Sequence, residues 1–377
     1  MSAPSPNPLL ELRKLGESVW LDDISRGMLE DGSLARLVHE DGVAGLTSNP
    51  AIFAHSMMSD PKYAQPLAQL LPTVPSAMAL YEELALEDLH AAARLLQPLY
   101  AASEARDGYI SMEVSPHLAY DGPGTLREAR RLWQRLELPN ALIKVPGTEA
   151  GIPVIRDLIA GGINVNVTLL FSPERYRAVA QAYMAGLEQR AAAGLPLARL
   201  ASVASFFLSR IDSAVDQVLD GLAAHGQPAA RSLRGKAAIA SACRAYEIYE
   251  ELLATPAWQQ LAARGARPQR LLWASTSTKD PSYSPIKYVE ELVVPDTVNT
   301  MPLETLNTYR RLGRPELRLE RHIAEGSDAR EGLERLDVDL EQIAQQLERE
   351  GVTKFIDPFD KLQQWLEGQR RGSRPGN

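Results

Sequence analysis

A chain of 377 residues, 45% hydrophobic and 23% charged, carries enough apolar material for one large core or two ordinary ones. A formal net charge of −8 excludes the basic footprint of a nucleic-acid binder. The single cysteine, Cys243, excludes an internal disulfide and fits a cytoplasmic location, and the six histidines are scattered without metal-ligand spacing. No apolar run reaches membrane-spanning length. Residues 1–8 are rich in Pro, Ser and Asn and lack the charged and apolar regions of a signal peptide. They and the Arg/Gly/Pro-rich segment 369–377 are expected to be disordered tails on one domain.

Short apolar runs recur along the chain, each followed by an amphipathic stretch. The first, 19–24, contains Asp22 and Asp23 and leads into a helical pattern over 27–39. The second, 43–48, runs into Thr47, Ser48, Asn49 and Pro50, and a helix over 77–100 follows. The third, 109–115, carries Glu113 and Ser115 before a helix over 125–136. The fourth, 141–145, holds Lys144 and precedes a helix over 148–160. In the fifth, 163–171, Asn164, Asn166 and Thr168 alternate with Ile163, Val165, Val167 and Leu169, so period two puts the polar set on one face. Ser172-Pro173 then reads as an N-cap with proline at the first helical position, opening a helix over 173–190.

The sixth run, 202–209, offers Ser205 and, just past it, Arg210. Helices over 211–222 and 235–253 follow, the second taking Cys243 as a small packed residue. The seventh, 271–277, ends in Ser275, Ser277 and Lys279, before a helix over 284–292. The eighth, 297–300, brings Asn299 and Thr300. Further helices are expected over 302–311 and 328–350, and Asp357-Pro358 reads as another N-cap with proline. The leucine stripe near 331–344 suits a face packed on the outside of the barrel, and 302–368 as a whole is expected to form helices packed on the barrel.

Strict alternation of strand and helix implies parallel strands with right-handed crossovers. Eight such units predict an α/β fold, a closed (β/α)8 barrel with extra helices. An open doubly wound sheet is the alternative, but no glycine-rich phosphate loop follows any strand. In a barrel the chemistry sits at the C-terminal strand ends, and here every strand end carries a polar residue.

Lys144 stands out among them, inside Leu142-Ile143-Lys144-Val145-Pro146. Burying an ammonium without a partner costs several kcal/mol or drives it toward the neutral amine, which is a nucleophile toward carbonyl carbon. Each polar residue also has an ordinary reading. Lys144 reaches water past its packed stem, Asp22 or Asp23 caps a helix, and Asn49-Pro50 makes a turn. Glu113 pairs with an arginine, and Asn164 satisfies itself locally. Together, a lysine, two carboxylates and hydroxyls converging on one mouth fit a Schiff-base site.

The segments Gly45-Leu-Thr-Ser-Asn-Pro50, Leu142-Ile-Lys-Val-Pro-Gly-Thr148 and Ile163-Asn-Val-Asn-Val-Thr-Leu-Leu-Phe-Ser172 resemble transaldolase motifs. Ser205-Phe-Phe-Leu-Ser-Arg210, Leu272-Trp-Ala-Ser-Thr-Ser-Thr-Lys279 and Pro295-Asp-Thr-Val-Asn-Thr-Met-Pro302 continue the likeness, in family order, toward the longer bacterial and plant-like branch. The resemblance implies a class I aldolase-type barrel that moves a dihydroxyacetone unit between sugar phosphates, with no cofactor and no metal. It implies Lys144 as the Schiff-base lysine and Asp22 as the acid/base, with Asp23 the alternative one residue on. Glu113 and Thr168 match the residues that handle water and protons. Asn49 and Asn166 match contacts to the dihydroxyacetone part. Ser205 and Arg210 match phosphate ligands, with Ser275 nearby. The better-known short branch has a second arginine near Ser277, and Lys279 is the candidate replacement. Monomer and homodimer both fit. The rivals are an aldolase that releases free dihydroxyacetone and a barrel that only binds sugar phosphates.

Overall fold

A computed structural model describes residues 7–372. Eight parallel strands form one sheet: β1 (Ser18–Asp22), β2 (Leu46–Thr47), β3 (Ile110–Glu113), β4 (Ala141–Pro146), β5 (Val165–Leu170), β6 (Ser202–Phe207), β7 (Arg270–Ala274) and β8 (Val298–Met301). Their spatial order is β2-β1-β8-β7-β6-β5-β4-β3, and a parallel bridge between Gly45 and Tyr109 joins the two ends. The expected eight-stranded barrel is therefore present, with helices between the strands. Outward positions such as Val145, Val165 and Val167 are buried under those helices, which is why the strands read as nearly continuous apolar runs.

Period two also decides what lies inside. Ser18, Trp20 and Asp22 share the inner face of β1. At the N-terminal end of the barrel, the carboxylate of Asp107 accepts hydrogen bonds from Ser18 (2.7 Å), Trp20 Nε1 (3.2 Å) and Arg270 (3.1 Å). Arg270 also donates to Ser18 Oγ at 2.8 Å. This buried ion pair is fully hydrogen-bonded, the condition under which burying charge is tolerated. It closes the bottom of the barrel and leaves the opposite mouth open for polar groups.

Several expected elements differ in detail. The helix expected over 27–39 is split into Arg26–Glu30 and Ser33–Glu40, because Gly32 adopts φ +75° between them. Unexpected helices occur at Pro50–Ser59, Ala64–Leu70 and Pro256–Ala263, and the helix expected over 284–292 shrinks to Lys287–Glu290. Asn7 caps a helix at Pro8–Lys14, so residues 7 and 8 are ordered. Residues 369–372 likewise continue the last helix, and the remainder of both expected tails lies outside the described residues. No helix of the described residues is long and apolar enough to cross a membrane.

The largest correction concerns the end of the chain. The helix expected over 328–350 is broken between Leu319–Glu334 and Leu340–Gly372, where Asp337 takes φ +54°. Asp357-Pro358 is no cap, because Pro358 sits inside the last helix. The missing N–H there leaves the Lys354 carbonyl without its helical donor. The helix survives because Phe355, Phe359, Leu362 and Leu366 are buried along one face. Leu319–Glu334 packs on the helix Ala237–Leu253, as an outer layer. Leu340–Gly372 instead crosses the mouth of the barrel, contacting β5 and the helices Pro50–Ser59 and Ala77–Ala102. An edge-to-face series Phe53–Tyr81–Phe359, with centroids 5.9 and 5.6 Å apart, anchors it there.

Gly45 shows how tightly the barrel closes. A Cβ at this position would stand 2.5 Å from Trp20 Cε2. Gly45→Ala is expected to destabilise the fold by about 1–3 kcal/mol through overpacking. Thermal unfolding measures this, and an unchanged midpoint would contradict the packing argument.

Candidate active site

The open mouth forms a cavity of about 210 Å³. It is lined by Asp22, Asn49, Lys144, Thr168, Ser205, Arg210, Ser275 and Lys279, eight of the ten residues singled out from sequence. The other two, Glu113 and Asn166, lie directly beneath it, each bonded to a lining residue. Strand register explains this convergence. Glu113 is paired with Lys144 across β3 and β4, and Lys144 with Asn166 across β4 and β5.

Lys144 is almost fully buried. Its amine donates to the Ser48 carbonyl at 3.0 Å and lies 3.2 Å from Glu113 Oε2. The third approach is covered by the ring of Phe355, whose centroid is 5.6 Å from Nζ. Burial pushes the Glu113 carboxyl up to about 7, against the opposing pull of Lys144. Asp22 accepts a 2.7 Å hydrogen bond from Thr47 Oγ1. Thr47 has one hydroxyl proton, so it must accept from Thr300 at 2.7 Å. The Asp22 carboxyl is also raised by burial, with Lys144, Thr47 and Arg210 pulling the other way. Asp23 faces away from the cavity, beside the Ile24 backbone and His55. Of the two aspartates, Asp22 enters the mouth.

Below the cavity, Ser205 donates to Asn166 Oδ1 at 2.8 Å, and Asn166 Nδ2 donates to Ser111 at 3.1 Å. Asn49 uses Oδ1 to cap its own helix, accepting from the backbone of Ala51 and Ile52. That leaves Nδ2 as the group able to meet a ligand. Thr168 precedes a bulge in β5, where Leu169 takes φ +62° and the period-two alternation ends. Thr168 Oγ1 and Arg210 Nη1 are buried without a hydrogen-bond partner. Such atoms are rare in folded proteins and here share one site.

The rim is cationic. Arg210 stacks over Phe207, with Cζ 5.4 Å from the centroid, at the start of the helix Ser209–Ala224. Burial disfavours its charge, and burial followed by the nearby Arg210 does the same for Lys279. Among the described residues neither cation forms a salt bridge. Asp212 and Asp216 do not serve Arg210. The first takes Lys287 and Tyr288, and the second takes Tyr283. Lys279 donates to Ser277 at 2.7 Å, and Ser275, at φ +54°, shares a 2.9 Å hydrogen bond with Ser209. β7 therefore ends at Ala274 and not at 277 as expected.

Some strand-end polar residues stay out of the site. Asn164 satisfies its amide on the backbone of Pro139, Ala141 and Ala201. Asn299 donates to Tyr288 O. Sequence reasoning missed Phe207 and Phe355, which both line the cavity. The parity of Ser205 would have pointed to Phe207, two residues on. No local pattern distinguishes Phe355 from a core residue of its helix. Among the described residues, no three His, Cys, Asp or Glu side chains are grouped to hold a metal ion.

Because the folded protein binds the Glu113 proton more tightly than the unfolded chain does, this group contributes stability in acid. The contribution is present below about pH 4.5 and is lost as pH rises through about 7. Denaturant titrations across that window should show the parent losing stability relative to Glu113→Gln as pH rises. A pH-independent difference would mean that Glu113 is ionised throughout.

With this geometry in view, the likeness to known proteins is informative. The family profile described as Transaldolase/Fructose-6-phosphate aldolase matches residues 19–366. A protein named Transaldolase from Thiobacillus denitrificans is 47% identical over 352 residues, covering 93% of this chain and 97% of the relative. Transaldolase 2 from a Nostoc species is 44% identical, with 96% and 97% covered. A Transaldolase from Frankia alni is 45% identical, with 94% and 95% covered. The chain belongs to the transaldolase/fructose-6-phosphate aldolase family.

Proposed function

We propose that this barrel is a transaldolase of the non-oxidative pentose phosphate pathway. It would move a dihydroxyacetone unit from sedoheptulose 7-phosphate or fructose 6-phosphate to glyceraldehyde 3-phosphate or erythrose 4-phosphate, through a Schiff base on Lys144. The observation that carries this reading is the buried Lys144 amine 3.2 Å from Glu113, in a mouth shared with Asp22 and rimmed by Arg210 and Lys279.

In this scheme the phosphate of the sugar meets the two rim cations and the uncapped start of the helix Ser209–Ala224. Arg210 presents a fork and Lys279 a point charge, so the two divide orientation and neutralisation between them. The keto end then reaches the floor, where Asn49 and the Ser205–Asn166 pair offer hydrogen bonds to the hydroxyls. The Lys144 amine adds to C2. A carboxyl raised to about 7 exchanges protons near neutrality, so Glu113 is suited to serve the carbinolamine as it loses water, with Thr168 holding that water. Asp22 takes the C4 hydroxyl proton as the C3–C4 bond breaks. The iminium accepts the electron pair and becomes an enamine. Asp22 later returns a proton to the aldehyde oxygen of the acceptor.

Borohydride trapping with fructose 6-phosphate, followed by peptide mapping, tests the scheme. The adduct is expected on Lys144 in the parent and nowhere in Lys144→Ala. Asp22→Ala should still be trapped but transfer roughly 10²–10⁴-fold more slowly, the loss of one general base. Asp23→Ala should be milder. Labelling of Lys144→Ala would remove the lysine assignment, and an inactive Asp23→Ala beside a normal Asp22→Ala would move the base by one residue.

Arg210→Ala should weaken use of phosphorylated donors by roughly 2–4 kcal/mol of transition-state stabilisation, from the loss of charge-assisted hydrogen bonds. Steady-state kinetics with free dihydroxyacetone as donor should change far less. Equal losses with both donors would make Arg210 a structural residue.

A further inference from the structure

We propose that Phe355 determines specificity, deciding whether the enzyme-bound three-carbon unit is transferred to an aldehyde or lost to water. The proposal rests on the Schiff-base reading above.

The Lys144 amine has two polar neighbours, the Ser48 carbonyl and Glu113, and one apolar one, the ring of Phe355. Phe355 is buried and lines the cavity, although it comes from the last helix, after all eight strand–helix units. Gly351 and Phe355 are four residues apart and share a helix face. At Gly351 the helix presses on the β5 bulge, where an added Cβ would stand 2.9 Å from Leu169 Cδ2 and 3.6 Å from Arg210 Nη1. That close approach brings the ring down to Lys144. On the far side, Phe359 packs on Tyr81, and His117 pairs with Asp360 at 2.7 Å. The cover is therefore fixed at both ends.

An enamine on Lys144 has two fates. Its nucleophilic carbon bonds to the aldehyde carbon of an acceptor, or it takes a proton from water. In the second case the resulting iminium takes up the hydroxide at C2. Collapse of that carbinolamine breaks the C2–N bond, giving dihydroxyacetone and the free amine. The net consumption is one water. A ring over the nitrogen excludes water from this face without offering a proton of its own. The helix meets the Lys144 amine through a ring that has no exchangeable proton, so the cover is separable from the proton-handling residues.

The test supplies the parent, Phe355→Leu and Phe355→Ala with fructose 6-phosphate and erythrose 4-phosphate, and measures released dihydroxyacetone and transferred product in one reaction. The release-to-transfer ratio is expected to rise on the order of tenfold in Phe355→Ala. A smaller rise is expected in Phe355→Leu, with borohydride labelling of Lys144 retained in both. If Phe355→Ala does not fold, the ratio in Phe355→Leu decides. A labelled parent whose folded variants keep its ratio, or lose release and transfer in equal proportion, overturns the role of Phe355 alone. A parent that borohydride does not label overturns the Schiff-base reading, and this one with it.

Discussion

Burying an amine beside a carboxylate inside a barrel mouth is the constraint that the rest of this structure accommodates. Either group alone would cost several kcal/mol of desolvation, and removing one partner of a buried pair leaves the other uncompensated. The register of β3 against β4 places Glu113 level with Lys144, so the pair is built into the sheet and does not depend on a loop. The Ser48 carbonyl takes a further hydrogen from the amine, and Phe355 closes the remaining side. Burial still pushes the Glu113 and Asp22 carboxyls up from their usual values. At the rim Arg210 and Lys279 line the cavity without a salt bridge among the described residues, which suits an anionic ligand such as a sugar phosphate.

The two ends of the barrel make the contrast plain. At the bottom, Asp107 is surrounded by Ser18, Trp20 and Arg270, and each makes a hydrogen bond to it. At the mouth, Thr168 and Arg210 each keep a buried polar atom without a partner. Both ends carry buried charge, and at the mouth the residues with orphaned atoms line the cavity itself. A structural network gains by satisfying every member, whereas a site that must bind substrate keeps capacity in reserve. At the mouth Leu169 and Ser275 hold positive φ, where β5 is bulged and β7 has ended.

The strands were legible in the sequence because period two and apolar runs are local properties. Eight runs, each with a polar residue near its end, give both the barrel and most of its mouth. Lys144, Thr168 and Ser205 are inward by parity alone. What was not legible depends on contacts between distant segments. Asp22 and Asp23 differ only in the face they take, and that face is fixed by Trp20 packing on Gly45 inside the barrel. Asp357-Pro358 has the local form of a helix start, but a buried face running from Phe355 to Leu366 overrides the missing hydrogen bond. Asn164 and Asn166 look alike in sequence. The first is satisfied by backbone and the second joins Ser205 beneath the cavity, a distinction set by depth in the barrel.

The placement of Phe355 follows from what the strands cannot provide. Strand ends deliver polar groups well, because each terminates at the mouth with its inner side chain aimed at the axis. They deliver dryness poorly, because the mouth is open to solvent by construction. The proposed chemistry needs both, proton donors and acceptors around nitrogen and oxygen, and exclusion of water from carbon. In the proposed scheme the first task falls to Asp22, Glu113 and Thr168 on three different strands. The second falls to a helix that has no strand to follow and is free to lie across the opening. Its glycine at 351 permits the approach, its aromatic residues at 355 and 359 fill the gap, and its proline at 358 is carried at the cost of one backbone hydrogen bond. Division of labour between barrel and cover explains why a residue more than two hundred positions from Lys144 stands against its amine.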